Sequence, residues 1–373
     1  MSLNTFAYRH RLVAKRTIAA LAKVLPATAG RKLRALAERA AFNMTPQYQG
    51  ETLPPIFGYW SSRFLAPDAH RLGIDSPEAF YFSRILQHAS NGGMPLRVLS
   101  VGAGACDMEV GLAEQLKAAG VHVHITCLDF NPALMRRAAT TAQARQVSAL
   151  MAFEARDCNL PFRLPPQDVI IVNQFFHHVT ELETFCRSLR ESLAPAGMLL
   201  SSDIIGRNGH LLWPDVETEV QQIWAELPAA KRHDRHFNAM QTRYRPINHA
   251  AYSNEGVRAQ DIVGCLLVEF DFELFFSFGA AIVPFIERRI GFNFDPQQAD
   301  DQALIDRIHA LDAAALSRGR YPAANMIAAM RHKGGVTQSP IHEPITAEQH
   351  VALTEQQRAK TLPVRGWRSS ASE

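Results

Sequence analysis

The sequence predicts an α/β fold whose core is a doubly wound, mostly parallel sheet of seven strands. Three observations favour it: short apolar runs recur between residues 96 and 330, helical segments separate them, and turns containing glycine or carboxylates follow the first runs. Strands that alternate with helices at this spacing are typical of parallel sheets with helices on both faces. The 373 residues suffice for one large decorated domain or for two domains.

The elements follow one another in a regular order. The first strand, at 96–101, is a short apolar run between Pro95 and Gly102, which is the pattern of a buried parallel strand. Glycine and proline mark the ends of the helices. Further strands are predicted at 121–128, 148–155, 168–173, 198–205, 272–276 and 325–330, with helices at 109–119, 132–146, 182–193, 260–270 and 301–316.

Three segments lie outside this alternating pattern. Residues 1–95 are predicted to form a helical N-terminal extension, and residues 1–45 of it form two basic helices, the first amphipathic, suited to packing on their own domain, on a twin subunit or on an anionic surface. Residues 206–258 are predicted to form an aromatic and histidine-rich lid insertion after the fifth strand, and residues 333–373 a mobile or loosely docked tail. The α/β domain is therefore predicted at 96–332.

Composition excludes several classes of protein. The 39 basic and 36 acidic residues are too nearly balanced for charge alone to predict nucleic-acid binding. No apolar run approaches the ~18 residues of a membrane span, so no transmembrane segment is expected. Five scattered cysteines, without a CxxC pair, favour reduced thiols and a cytoplasmic location.

A glycine-rich turn follows the first predicted strand. In the segment 98–109, Gly102 and Gly104 allow a ligand to approach backbone amides at the positive end of a helix dipole. The dinucleotide fingerprint G-x-G-x-x-G/A would place its last glycine or alanine at Asp107, which suits a pyrophosphate poorly. The spacing fits G-x-G-x-G better, with Cys106 at the third glycine position.

Carboxylates follow the next two strands. Asp129 ends the second strand, where it can accept hydrogen bonds from ribose hydroxyls, and Asp157 follows the third, where it can accept one from an adenine amino group. Either aspartate alone is more often a turn or helix cap. Their occurrence in register at strand ends, where open α/β sheets bind ligands, favours a single nucleoside site.

These residues resemble those of the class I S-adenosylmethionine-dependent methyltransferases, particularly the type that acts on small molecules. The resemblance covers residues 96–205, and 260–331 only through the order of elements, which implies a Rossmann-like fold with an antiparallel seventh strand. It implies S-adenosylmethionine as cofactor, with methionine at Gly102–Gly104, ribose at Asp129, and adenine at Phe130, Asp157 and the Cys158 backbone. Ser100 and Cys106 depart from the family's usual acidic residue and glycine, and Asp107 is expected to balance the ammonium charge instead. The implied cofactor-binding residues are Ser100, Gly102, Ala103, Gly104, Asp107, Asp129, Phe130, Asp157, Cys158 and Asn173.

Histidines follow the fourth and fifth strands, where the resemblance places the transferred methyl group. His177 and His178 follow the fourth strand, and His210 lies in a glycine-flanked loop after the fifth. His210 is the preferred general base, with His178 and His177 as the other candidates, whereas Asp203 is expected to be structural. The histidine spacings fit no motif such as H-E-x-x-H, so no metal ion is predicted.

The predicted function is methyl transfer to a small-molecule acceptor, through O- or N-methylation of an aromatic or apolar metabolite. Aromatic residues in the insertion suit such an acceptor, and Arg245 or Arg258 is placed to bind a carboxylate. No nucleic-acid partner is expected, whereas a homodimer or partner contact through the basic N-terminal helices is. Two alternatives from other classes are a non-catalytic S-adenosylmethionine-binding interaction subunit and a nicotinamide-dependent oxidoreductase.

Overall fold

A computed structural model describes residues 52–89, 95–251 and 253–361. The basic helices predicted at 1–45 lie outside these described residues. Their expected contact with a partner stays a prediction. Within the described part of the chain, no helix is long and apolar enough to cross a membrane.

One large sheet organises the described residues. Its strand order is β10-β8-β9-β5-β4-β1-β2-β3, and every neighbouring pair is parallel except the two that involve β9. The antiparallel seventh strand that the resemblance implied is therefore β9. The strands are β1 (Leu96–Val101), β2 (Val123–Asp129), β3 (Met151–Ala155), β4 (Gln167–Asn173), β5 (Leu193–Ile204), β8 (Phe270–Phe278), β9 (Asn325–His332) and β10 (Ile341–Glu343), and the short strands β6 (His233–Asp234) and β7 (Ala239–Met240) form a separate hairpin.

Helices cover both faces of the sheet, because the central strands are apolar on both sides. In β4, Val169, Ile170, Ile171 and Val172 are all fully buried, and successive residues belong to opposite cores. The helices are α1 (Pro55–Trp60), α2 (Ala66–Arg71), α3 (Pro77–Ala89), α4 (Asp107–Ala118), α5 (Pro132–Ala144), α6 (Leu182–Ser192), α7 (Pro214–Glu226), α8 (Ile262–Glu269), α9 (Val283–Ile286), α10 (Ala299–Ser317) and α11 (Ala347–Thr361).

The carboxyl edge of the sheet positions the candidate site. Strands β1, β2, β4 and β5 all run in the same direction, so the turns that follow them meet at one edge. Helix α3 closes part of this edge, since the Tyr81 hydroxyl donates a hydrogen bond to Asn173 Oδ1 at the end of β4 (3.0 Å).

The structure differs from the prediction after Lys333. The sheet has eight strands rather than seven, because Ile341–Glu343 pairs in parallel with β8 at the sheet edge. Helix α11 then packs its buried residues His350 and Leu353 inward. A three-residue strand flanked by prolines and a helix without a strong apolar stripe leave little periodic signal, which explains why a loose tail was expected here.

The insertion at 206–258 contributes side chains to the core. Trp213, Trp224 and Tyr244 are buried in a third apolar cluster together with Trp60 and Phe285. These aromatic side chains therefore hold the insertion on α1 and α9.

The two arginines expected to bind a carboxylate differ in how far the structure describes them. The Arg258 guanidinium is paired with Glu183 at 2.7 Å and with Asp261 at 3.0 Å. It is therefore committed to structural carboxylates. The backbone oxygen of Arg245 accepts a hydrogen bond from Arg289, and the role predicted for the Arg245 side chain stays a prediction.

Candidate active site

The glycine turn after β1 is fixed by backbone hydrogen bonds. The amides of Gly102 and Ala103 both donate to the Leu128 carbonyl at the end of β2. Gly102, Gly104 and Cys106 all have positive φ, at 73°, 56° and 59°. The left-handed conformation of Cys106 is one that glycine adopts at no steric cost, which accounts for the family's preference there. The turn therefore places Cys106 in a conformation that suits glycine.

Two observations show that this turn can accommodate the cofactor that the resemblance implies. A Cβ at Gly104 would meet no atom within 4 Å, so the turn faces open space there. Beside it, Asp129 is buried, and its Oδ2 accepts a hydrogen bond from the Gly104 amide (3.1 Å) while Oδ1 accepts one from Asn131 (2.8 Å). The carboxylate predicted to bind ribose thus lies against the glycine turn, and the residues fit an adenosyl ligand.

Ser100 and Glu109 together supply a carboxyl group at the end of β1. The Ser100 hydroxyl donates a hydrogen bond to Glu109 Oε1 at 2.6 Å, and both side chains are buried. Burial raises the pKa of Glu109 to about 7, although the hydrogen bond from Ser100 opposes the rise. Asp107, expected to balance an ammonium group, is exposed at the start of α4. Glu109 was missed because its apolar neighbours on α4 made it an ordinary helix residue in the sequence.

The remaining predicted cofactor residues lie in the same group of turns. Asp157 is half-buried and its Oδ1 accepts a hydrogen bond from the Asn159 amide, which is the local turn role considered for it. Cys158 is buried, Phe130 half-buried, and Asn173 accepts from Tyr81. The adenine contacts predicted for Phe130, Asp157 and Cys158 stay predictions.

An aromatic ring that the sequence did not single out lies over the glycine turn. A Cβ built on Gly102 would stand 2.0 Å from Cγ of Phe175, so only glycine permits this approach. The Phe175 ring also packs edge-on against Phe185 in α6, with ring centroids 5.7 Å apart. Phe175 therefore links the cofactor turn to the segment that carries His177 and His178.

His177 is held by Asp203 from the end of β5. Asp203 accepts hydrogen bonds from the amides of Phe175, Phe176 and Ile204, each at 2.8 Å, and its Oδ1 lies 2.6 Å from His177 Nδ1. A carboxylate that accepts this many N–H groups is a pure acceptor, so Nδ1 of His177 donates to it and Nε2 is the nitrogen that faces Glu255. Asp203 is thus structural, as expected, and it also orients a candidate catalytic side chain.

Glu255 brings His177 and His210 together. Its Oε1 lies 3.4 Å from His177 Nε2 and 3.5 Å from His210 Nε2. His177 is only 4% exposed, whereas Glu255 is 36% exposed, so the group opens to solvent on the glutamate side. We call His177, His210 and Glu255 the His–His–Glu cluster. Their three ligand atoms lie within 4.8 Å of one another.

The backbone around the cluster is also fixed. The Val257 amide donates to the His177 carbonyl, and the Gly209 amide donates to the Gly256 carbonyl. The turn that carries Glu255 is therefore hydrogen-bonded to both histidine loops. A Cβ at Gly256 would lie 2.3 Å from Cδ2 of His210, so glycine is required for the His210 ring to lie where it does.

The charges in the cluster follow from burial and pairing. Burial alone would lower the pKa of His177, but its pairing with Asp203 and Glu255 outweighs burial and raises that pKa to about 9. Burial would raise the pKa of Glu255, yet the neighbouring histidines lower it to about 2. Burial lowers the pKa of His210 to about 4. In the absence of any bound ligand, the cluster therefore holds a carboxylate, an imidazolium and a neutral imidazole at neutral pH.

The structure brings the three predicted catalytic histidines together. The His178 ring packs at a tilt against that of His177, with ring centroids 4.1 Å apart, and its Nδ1 lies 3.7 Å from Glu255 Oε2. Burial and the charge on His177 lower the pKa of His178. Glu255 was missed because it lies in a glycine-containing turn of the insertion, with nothing in the local sequence to mark it. The prediction of no metal ion stays untested, and the cluster is a reason to test it.

Known proteins are similar in sequence to this part of the chain. Residues 99–199 match a family model described as a methyltransferase domain. The chain is 25% identical over 171 residues to the non-reducing polyketide synthase esdpA of Penicillium shearii, covering 45% of this chain and 8% of that protein. It is 23% identical over 154 residues to the citrinin polyketide synthase of Monascus ruber, covering 41% of this chain and 6% of that protein. A solved structure of the citrinin polyketide synthase CMeT domain is 26% identical with a TM-score of 0.31, over 35% of this chain and 34% of that one.

Residues 99–199 therefore match a methyltransferase domain, and the predicted resemblance to class I S-adenosylmethionine-dependent methyltransferases is confirmed. A methyltransferase domain agrees with the expected cofactor, S-adenosylmethionine. The expectation of O- or N-methylation has no support among the matches. The chain spans less than a tenth of the length of these curated relatives, at 8% and 6%.

Proposed function

We propose that this chain transfers the methyl group of S-adenosylmethionine to a carbon atom of a small carbonyl compound that readily forms an enolate. The observation that carries the proposal is the His177–Asp203 pair, which presents an oriented ring nitrogen beside His210 and Glu255 at the carboxyl edge of the sheet. Oxygen and nitrogen acceptors already have a lone pair to attack with. A carbon acceptor must first lose a proton, so it needs such a group most.

The groups that follow β1 and β2 bind and orient the cofactor. When bound, S-adenosylmethionine supplies an electrophilic methyl carbon. The turn from Gly102 to Gly104 offers backbone amides, Asp129 offers a carboxylate for ribose hydroxyls, and the buried Glu109 beside Ser100 offers negative charge for a cationic ligand. These groups are fixed by the backbone before any ligand arrives, which lowers the entropic cost of positioning.

The residues on the acceptor side accept a proton from the acceptor carbon and stabilise the negative charge that its loss leaves. A carbon flanked by two carbonyl groups is acidic enough for imidazole chemistry, and the enolate that results concentrates negative charge on oxygen. The His–His–Glu cluster lies one strand away from the glycine turn, because β4 lies between β1 and β5. Accepting the proton of the acceptor carbon is therefore assigned to His178, whose lowered pKa keeps its ring neutral, and stabilising the enolate is assigned to the cluster beside it, in which Asp203 orients His177.

The relatives support this choice of acceptor. The curated proteins that match are polyketide synthases, and polyketide chains contain carbons flanked by carbonyl groups. A β-keto thioester or a related small β-dicarbonyl compound is the acceptor class that combines this relationship with the acid–base character of the cluster.

The experiment that tests the proposal offers three acceptors to the full chain with S-adenosylmethionine: an acetoacetyl thioester, a catechol and a primary amine. We expect S-adenosylhomocysteine release and C-methylated product only with the thioester, and its loss in His177→Ala. Methylation of the catechol or the amine alone would overturn carbon transfer. Tight S-adenosylhomocysteine binding with turnover of none of a wide acceptor set would support the non-catalytic subunit instead.

We also propose that the chain works in a reducing compartment such as the cytoplasm. Five cysteines are unpaired, and four of them are buried. The support for this proposal is that free buried thiols are typical of proteins that are kept reduced. Fractionation of the producing cells with an antibody against the chain tests it, and recovery outside the cytoplasmic fraction would contradict it.

A further inference from the structure

The nitrogen–oxygen distances within the His–His–Glu cluster are longer than those of a close hydrogen bond. A hydrogen bond between an imidazolium and a carboxylate brings nitrogen and oxygen to about 2.7–2.9 Å. Glu255 Oε1 instead lies 3.4 Å from one histidine nitrogen and 3.5 Å from the other. By contrast, the Asp203 contact with His177 in the same site is 2.6 Å. Glu255 Oε1 therefore lies near both histidine nitrogens without a close hydrogen bond to either.

The two distances from Glu255 Oε1 agree with the spacing of ligands around a tetrahedral metal ion. With bonds of about 2.0–2.1 Å, neighbouring ligand atoms of a tetrahedral zinc site lie about 3.3–3.4 Å apart. An octahedral ion with bonds of similar length would bring adjacent ligands to about 3.0 Å. Two imidazole nitrogens and one carboxylate oxygen are also a ligand set found in catalytic zinc sites, where the fourth position stays open.

The surroundings of the cluster are those of a supported metal site. Asp203 fixes the tautomer of His177 through Nδ1, which is the usual arrangement of a carboxylate behind a metal-binding histidine. The Nε2 atom of His210 is buried without a hydrogen-bond partner among the described residues. His210 also has a left-handed backbone, with φ at 57°, which a non-glycine residue adopts at a cost.

We propose that His177, His210 and Glu255 bind one divalent transition-metal ion, of which zinc is the best fit, with a fourth position open toward the acceptor. Magnesium and calcium fit poorly, because they prefer oxygen ligands and higher coordination numbers. The role of the ion rests on the proposed function: the open position takes the carbonyl oxygen of the acceptor and stabilises the enolate by its charge, while His178, which lies beside His177 but outside the ligand set, accepts the proton of the acceptor carbon. Binding itself makes or breaks no covalent bond.

The test measures metal binding directly on the full chain, freed of metal by a chelator and then titrated with Zn²⁺ or Co²⁺. We expect one ion per chain and, with Co²⁺, the intense visible absorption of a tetrahedral complex. His210→Ala and Glu255→Gln should each lower the affinity by more than about 100-fold, and Asp203→Asn by about 10- to 100-fold. The matched control is His249→Ala, since the His249 ring lies 5.5 Å from that of His210 but outside the cluster.

The outcomes separate this proposal from the proposed function. No stoichiometric binding, or binding that Glu255→Gln and His210→Ala leave unchanged, would overturn the metal site and leave an ion-pair cluster. Because Glu255→Gln keeps the size of the side chain, an unchanged melting temperature would show that lost binding is not lost folding. Binding at the cluster without carbon methylation would uphold the metal site and overturn the proposed function. Carbon methylation that continues after chelation would uphold the proposed function and overturn the metal site.

Discussion

The Ser100 hydroxyl lies 2.6 Å from Glu109 Oε1, which places a carboxyl group from α4 beside the end of β1. In the family that the sequence resembles, an acidic residue usually occupies the position of Ser100 itself. Here the strand contributes a hydroxyl and the next helix contributes the charge. The departure at Ser100 therefore does not by itself imply a weak or inactive cofactor site.

Glu109→Gln should weaken binding of S-adenosylhomocysteine about tenfold. The change removes a negative charge but keeps the size of the side chain, and lost charge complementarity of one pKa unit corresponds to about tenfold in affinity. Isothermal titration calorimetry measures the effect. Glu114→Gln on the same helix, which pairs with Arg145 near the surface, is the control. Equal affinity in the two variants would contradict a role for Glu109.

Cofactor affinity should also rise with pH. Burial raises the pKa of Glu109 to about 7, so the carboxyl group becomes charged as the pH rises through about 7. A cationic ligand favours the charged form, and its dissociation constant should therefore fall between about pH 6 and pH 8. Titrations across this range check the direction. A flat profile in the wild type, matching that of Glu109→Gln, would show that Glu109 does not face the ligand.

Asp129→Ala should abolish the thermal stabilisation caused by S-adenosylhomocysteine. A ligand at ~100 times its dissociation constant stabilises a protein by about 2.7 kcal/mol, which a thermal-shift assay detects easily. Asp129 is buried against the glycine turn, so its loss removes both the predicted ribose contact and a support of Gly104. NAD and NADP serve as negative ligands. Stabilisation by these nucleotides alone would favour the oxidoreductase alternative.

Asp203→Asn should reduce turnover by about 100-fold or more while S-adenosylhomocysteine still binds. An amide in this position no longer fixes the His177 tautomer that presents Nε2 outward, and comparable changes in other enzymes cost up to about 10⁴-fold. Steady-state kinetics with an acetoacetyl thioester give the turnover, and calorimetry gives the affinity. A fall in affinity equal to the fall in turnover would indicate a merely structural role at the end of β5.

Gly256→Ala should disturb the cluster without unfolding the domain. The added Cβ would lie 2.3 Å from Cδ2 of His210, and φ at Gly256 is 65°, so the ring or the turn must move. We expect lower Co²⁺ affinity and lower turnover. Gly264→Ala is the control, because a Cβ there meets nothing within 4 Å. Wild-type metal affinity in Gly256→Ala would contradict the packing described for His210.

The protein should lose stability in acid through His350. Burial lowers the pKa of His350 from 6.5 to about 4, so the unfolded chain binds a proton there that the folded chain excludes. Stability present above about pH 6.5 is therefore lost as the pH falls toward 4, by about 2 kcal/mol at pH 5. Melting temperatures at pH 8 and pH 5 check this. His350→Leu should lose less stability over the same interval, and an equal loss would exclude His350 as the cause.

The sequence predicts the sheet well because its strands carry their signal locally. Buried runs such as 168–173 and breaks such as Gly102 mark seven strands, and all seven appear close to their predicted bounds. The sequence does not predict the edge strand β10 and helix α11, because their positions depend on contacts with β8 and with neighbouring helices.

The candidate site is predictable only in part, for the same reason. Gly102, Asp129 and His177 follow strands, where the fold itself indicates a function. Glu109 and Glu255 give no such signal, because one lies within a helix and the other in a turn far along the chain. The partnership of Glu255 with His177 and His210 depends on how the insertion docks, and that information is tertiary.

The docking of the insertion has a consequence for the order in which the chain becomes competent. A chain synthesised only as far as β5 already contains every residue assigned to binding of the methyl donor. Glu255 follows some fifty residues later. The groups assigned to the methyl donor therefore all come from the first strands of the sheet and the turns after them, whereas the groups assigned to the acceptor are completed only by a segment beyond β5.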